Sequence, residues 1–140
     1  MQNATQSSTN VASRKCQQNG CEADKAIDDS LTTFARTGNS QFNWWAVELT
    51  ELVEIKNVFV STTQAGRNRL TGFKVETKMN ESEPWELCKG PYSVEGDFTP
   101  HMVQCENMTI AGYLRLSCTG KYLLLTDVKI EGQYISYTQT

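Results

Sequence analysis

The chain is a succession of short runs of β-branched, aromatic and aliphatic residues, each closed by Gly, Asn, Asp or Ser, with no sustained helical periodicity. The runs are Trp44 to Leu49, Val53 to Thr62, Leu70 to Thr77, Tyr113 to Cys118 and Tyr122 to Ile130. Side chains of this kind fit a pleated, half-buried surface, so each run predicts a strand. In the last run Tyr122, Leu124, Thr126, Val128 and Ile130 alternate with Leu123, Leu125, Asp127 and Lys129, which predicts one strand with a buried side. The whole pattern is that of an all-β sandwich. One short helical turn is expected around Ala23-Asp24-Lys25-Ala26-Ile27, too short to stand alone and docked on the sheets. The preceding Gln6 to Gly20 reads as a polar loop.

A chain of 140 residues fits one domain able to bury its own core. Residues 1–132 form that domain and residues 133–140 a tail expected to fray or to lie on the surface. The net charge of −3 gives no basic face for nucleic acid. Five cysteines and three Asn-x-Ser/Thr sequons, at Asn3, Asn80 and Asn107, point to a secreted protein or the extracellular part of a cell-surface protein. The N-terminus is polar, so Met1 reads as the start of a mature chain, and no apolar run approaches the roughly 18 residues of a membrane span. With one His and no Ser/His/Asp or Cys/His arrangement in credible context, the chain reads as a binding module, not an enzyme.

Ala26-Ile27-Asp28-Asp29-Ser30, then Trp44-Trp45-Ala46-Val47-Glu48-Leu49, then Asn68-Arg69-Leu70-Thr71-Gly72-Phe73-Lys74-Val75-Glu76 occur in an order and at a spacing that resemble the F-type lectins (fucolectins). These belong to the discoidin, F5/8 type C-like group of jelly rolls, and the resemblance runs from about Asn3 to Gly132. It implies a single-domain β-sandwich jelly roll, stabilised by calcium, that holds a sugar in loops at one end. Transferred residue by residue, it implies a structural Ca2+ held by Lys25 (carbonyl), Asp28, Ser30, Thr126 and Asp127, completed by Ser40 in preference to Thr37. Such oxygens suit a hard cation. The other reading is that Asp28 caps the turn after the helix and Asp127 is a solvated strand-end carboxylate.

For the ligand loops the resemblance implies one His before the paired tryptophans and two Arg donating to the sugar, since cationic forks suit its ring oxygen and hydroxyls. Here the second Arg is kept as Arg69, the first becomes Thr62, the family's Asp becomes Gln64, and no His occurs in Ala35 to Asn43. Arg69 either contacts ligand or anchors its loop on backbone carbonyls. Arg67 and Arg36 supply further cations, and Gln64, Asn39, Gln41, Phe42 and Asn43 line an altered pocket with them. Trp44 and Trp45 open a strand, which makes at least one of them core and assigns both mainly to the scaffold; a sugar-stacking platform is the other reading, and Phe42 is the better candidate for an exposed aromatic tip. The lone His101 falls outside the matching loop.

The resemblance also pairs Cys88 with Cys105, around a Gly/Pro-containing segment. Cys16 and Cys21 flank the turn-forming Gln17-Gln18-Asn19-Gly20, which suits a local bridge; a zinc or redox pair is the other reading, with no second Cys or His pair nearby. Cys118 is in phase with Leu114 and Leu116 and reads as a buried thiol, with pairing to another cysteine or another chain as the other reading. Two functions lead, ahead of a phospholipid-binding role of discoidin type, for which only Phe42 and scattered Arg qualify. One is a lectin-like extracellular domain that binds a glycan, fucosylated or other, through an altered loop. The other is a protein-recognition module of adhesion or allorecognition type on the same scaffold, binding an extracellular protein and no sugar. Oligomers suit either, because repetition gives weak sites avidity.

Overall fold

The computed structural model describes residues 3–30, 32–62, 72–92, 101–120 and 122–135. Within them the strands are β1 (Asn3–Gln6), β2 (Ala35–Arg36), β3 (Phe42–Ser61), β4 (Phe73–Lys78), β5 (Glu86–Tyr92), β6 (His101–Thr119), β7 (Leu124–Leu125) and β8 (Asp127–Tyr134). A six-residue helix, α1 (Arg14–Asn19), and a 3-10 turn over Ala23–Ala26 lie between β1 and β2. All strand pairs are antiparallel.

The long strands β3 and β6 organise the fold. They pair along most of their length, with register shifts between Glu48 and Val53 and between Ile55 and Asn57. Such irregularities bend a ribbon. The first half of β3 carries β1 on its free edge and the second half carries β8, while β4 and then β5 extend the sheet beyond the second half of β6. Trp45 and Val47 from one half of β3 and Val58 and Val60 from the other share one core with Phe73, Val75, Val103, Leu114, Leu116, Leu125 and Val128. The bent ribbon therefore closes on itself as the two layers of a β-sandwich.

Several expectations need adjusting. Trp44 to Leu49 and Val53 to Thr62 are one continuous strand, not two. The run from Tyr122 to Ile130 is split, because Thr126 leaves the ladder and gives its N–H to the Ser61 carbonyl (2.9 Å). Leu123, Leu124 and Leu125 are all buried, and alternation begins only at Asp127. Strand β8 continues through Gln133 and Tyr134, paired to Glu54 and Val53, two residues into the expected tail. The polar loop from Gln6 to Gly20 contains α1, whose start is capped by Ser13 Oγ accepting the Cys16 N–H. A polar single-sided turn of this length carries no hydrophobic period to read. Strand β5, with Gly90 and Pro91, also lacks a strand pattern; it lies at the sheet edge, where proline costs no ladder bond.

Both expected disulfides are present. Cys16–Cys21 closes the end of α1. Cys88–Cys105 joins β5 to the first half of β6, and these segments are not neighbours in the sheet. Both cysteines belong to the core, so this bond crosslinks one layer to the other. Cys118 is a buried thiol outside both bridges. The 3-10 turn docks as expected: Ala23 and Ala26 are buried and the Trp45 indole N–H donates to the Ala23 carbonyl at 2.9 Å. Among the described residues no helix is long and apolar enough to cross a membrane.

Candidate functional site

One end of the sandwich gathers most of the residues singled out from the sequence. Backbone bonds from Thr37 N–H to Leu123 O (3.0 Å) and from Gly120 N–H to Gln41 O (2.7 Å) tie the segment after β2 to the segment before β7. Asp28 follows the 3-10 turn. Its carboxylate accepts the Ser30 N–H (3.0 Å) and the Thr33 hydroxyl (2.6 Å), which fixes the loop and leaves lone pairs on both oxygens. Asp29 sits in left-handed backbone at φ 61°. Its carboxylate lies 3.9 Å from Lys129 Nζ, an exposed pair of little energetic weight.

Asp127 opens β8 opposite Ser61. Partial burial raises its pKa, Asp29 and Asp28 raise it further, and Lys129 and the Val128 N–H act against them. The fold thus brings three carboxylates, distant in sequence, within electrostatic reach of one another. Lys25 lies in the last turn of the 3-10 segment and Thr126 is buried beside Asp127.

The two candidates for the remaining hydroxyl are in different situations. Thr37 is 1% exposed, and its hydroxyl donates to Gly38 O (3.0 Å) and accepts the Leu123 N–H (2.9 Å). Ser40 is exposed; its N–H and carbonyl are held by the buried Asn43 side chain, while its hydroxyl meets no protein partner among the described residues. Among the described residues no group of three His, Cys, Asp or Glu side chains is arranged to hold a metal by itself. The expected donor set is mostly carbonyl and hydroxyl oxygen, and those donors, with the crowded carboxylates, fit a hard cation chemically.

Of the ligand-loop residues, Gln64, Arg67 and Arg69 lie outside the described residues. Arg36, in β2, stacks its guanidinium over the Tyr122 ring at 4.1 Å. Asn39 is exposed, and Phe42 is 47% exposed at the start of β3, as an aromatic tip should be. Thr62 is 5% exposed and gives its hydroxyl to the Leu124 carbonyl at 2.7 Å, so its side chain is committed to the scaffold. His101 belongs to β6, paired with Val60.

The tandem tryptophans divide. Trp45 is core, but Trp44, next to it on a strand, faces the opposite way and lines a cleft on the outer face of the sheet. This cleft, about 270 Å³, also involves Trp85, Tyr113, Lys78 and Arg115. Arg115 Nε pairs with Glu76 Oε1 at 2.9 Å, and its guanidinium lies 4.8 Å from the Trp85 ring centre and 5.6 Å from that of Phe42. Lys78 Nζ is 4.6 Å from Trp85 and 5.4 Å from Tyr113. The Tyr113 phenol is pushed up first by lost hydration, then by Glu48 and Glu81. Sequence reasoning missed this cluster because its members come from separate strands; the alternation of Tyr113 and Arg115 with buried Leu114 and Leu116 was its one visible trace.

Solved carbohydrate-binding modules share this fold. The chain matches the F5/8 type C domain model over residues 3–132, and it belongs to that family. A fucolectin from striped bass (Morone saxatilis) serum superposes with a TM-score of 0.79 at 18% identity, over 94% of this chain and 47% of the other. The chain therefore spans about half the length of that lectin. The lectin domain of lectinolysin, solved with Lewis B antigen, gives 0.74 at 22% identity, covering 92% and 91%. A Clostridium perfringens module of carbohydrate-binding family 32, solved with GalNAc-β-1,3-galactose, gives 0.77 at 15% identity, covering 91% and 93%. No curated protein matches the sequence.

Proposed function

We propose that this domain is a non-catalytic extracellular carbohydrate-recognition module whose fucose loop has been rebuilt and whose loop end is stiffened by calcium. The observation that carries the reading is that domains matching it over more than nine-tenths of both chains were solved holding Lewis B antigen and GalNAc-β-1,3-galactose. The ligand would enter between Arg36, Asn39 and Phe42 on one side and the loop from Thr62 to Arg69 on the other. Asp28, Asp127 and the Ser40 hydroxyl would hold the calcium with the carbonyls of Lys25, Ser30 and Thr126. Bound there, the ion neutralises carboxylates that otherwise repel one another, and so joins the loop after the 3-10 turn to the start of β8.

Calorimetric titration with L-fucose, D-galactose and Lewis b oligosaccharide in calcium tests the proposal. Saturable binding that is lost in Arg69→Ala, with the fold intact by circular dichroism, supports it; no heat from any of these sugars counts against it. The burial of Thr62 favours a second reading, since a pocket stripped of one polar fork discriminates sugars poorly. In that reading the same loops contact an extracellular protein, and the interaction survives competition by free monosaccharides.

A further inference from the structure

The acceptor sequon Asn3-Ala4-Thr5 forms most of strand β1, and the outer-face cleft is built beside it. The register places residues in rows across that face. Asn3 lies opposite Glu48, Glu48 opposite Tyr113, and Tyr113 opposite Lys78; Thr5 lies opposite Ala46, Ala46 opposite Arg115, and Arg115 opposite Glu76. Asn3 and Thr5 are both exposed and both line the cleft with Trp44, Trp85 and Tyr113. The amide nitrogen Nδ2 of Asn3 lies 3.2 Å from Glu48 Oε1, so the atom that would carry a sugar already faces along the first row.

We propose that Asn3 is an N-glycosylation site whose first sugars lie across the cleft of Trp44, Tyr113 and Trp85. In the attachment step Asn3 Nδ2 forms a bond to the anomeric carbon of a lipid-linked oligosaccharide diphosphate. The bond from that carbon to the diphosphate breaks, the lipid diphosphate leaves with the electron pair, and the amide gives up one proton. From β1 to β4 is three strand spacings, about 14 Å. The innermost sugars can span that distance.

The surface they cross suits a pyranose. Half-buried rings offer flat apolar faces for its C–H side, and Arg115, Glu48 and Glu81 on the rim offer donors and acceptors for its hydroxyls and N-acetyl group. Among the described residues the indole N–H groups of Trp44 and Trp85 and the Tyr113 hydroxyl meet no protein hydrogen-bond partner. Covalent attachment gives the sugar a high effective concentration at the cleft, so weak contacts are enough to seat it. Asn80, in the exposed turn after β4, is outside the lining residues and serves as a control. The inference rests on an extracellular location and is independent of the ligand loops.

The test is to express the chain behind a secretory leader in eukaryotic cells and map glycopeptides of total protein by mass spectrometry. Asn3 should be occupied in the parent and in Thr5→Ser, and bare in Thr5→Ala. A bare Asn3 in the parent overturns the proposal and leaves the cleft open to a free saccharide. Enzymatic removal of the glycan should lower Tm by about 3 °C and shift indole fluorescence. Neither change should follow loss of the Asn80 sequon in Asn80→Gln. In Trp85→Ala the fluorescence and Tm responses to deglycosylation should both shrink. If occupied Asn3 is stripped without a change in Tm or fluorescence, the sugar does not rest on the cleft and the proposal fails.

Discussion

Asp127 illustrates how a single carboxyl can be read two ways until its neighbours are known. In the folded chain its pKa is raised, first by partial burial and then by Asp29 and Asp28. The native state therefore holds that proton more tightly than the unfolded chain. Stability contributed by the protonated form is present below the unfolded value, about 4, and is lost as pH rises through the higher folded value. Without metal, Asp127→Asn should melt at or above the parent temperature at neutral pH and should lack the parent's loss of stability across that window. Calcium should raise the parent's stability by about 2.7 kcal/mol at one hundred times its dissociation constant and leave Asp127→Asn nearly unchanged. Thermal melts from pH 4 to pH 8, in chelator and in calcium, check both. Trp45 is a residue of the opposite kind. Trp45→Phe removes the indole bond to Ala23 and leaves a gap in the core, so a loss of about 2 kcal/mol is expected in urea unfolding.

Among the elements, the two disulfides should differ in weight because they close loops of different length. Cys88–Cys105 closes a loop of 17 residues separation and Cys16–Cys21 one of 5. In the chain-entropy account the first contributes about 3 kcal/mol and the second about 2. The gap between double Ala variants should exceed that difference, since Cys88–Cys105 also holds the two layers together across the core. Gly132 in β8 marks another constraint between elements: a methyl group there would press on the backbone carbonyl of Glu54 in β3. Gly132→Ala should cost about 2 kcal/mol, read as a lower midpoint in denaturant. Helix α1 and strand β5 escaped the sequence reading for related reasons. A six-residue polar helix is held by its Ser13 cap and a disulfide, and an edge strand can carry Gly90 and Pro91 because its outer side needs no partner.

For the molecule as a whole, one core cluster joins residues from both halves of β3 to the loop before β7. A chain of this size with one core should unfold in a single transition. The Trp45 signal in near-ultraviolet circular dichroism and the backbone signal in the far ultraviolet should therefore fall together on heating; two separated transitions would show that the layers are independent. The same closure sets the site's location. Asp28 and Asp127 are 99 positions apart in the chain and reach one another only because β8 pairs with the second half of β3.

The all-β class, the strands with a clear apolar run such as β3, β4 and β8, and the family were legible in the sequence because each is carried by local residue type or by short segments in order. Phe42 was legible as an exposed tip for the same reason. The division of labour between Trp44 and Trp45, the burial of Thr62 and the aromatic cleft of Trp44, Trp85 and Tyr113 were decided by tertiary structure alone. Which face of a strand meets the core depends on register and on the bend of the ribbon. Those are set by pairings across the sheet, between residues that the chain itself keeps far apart.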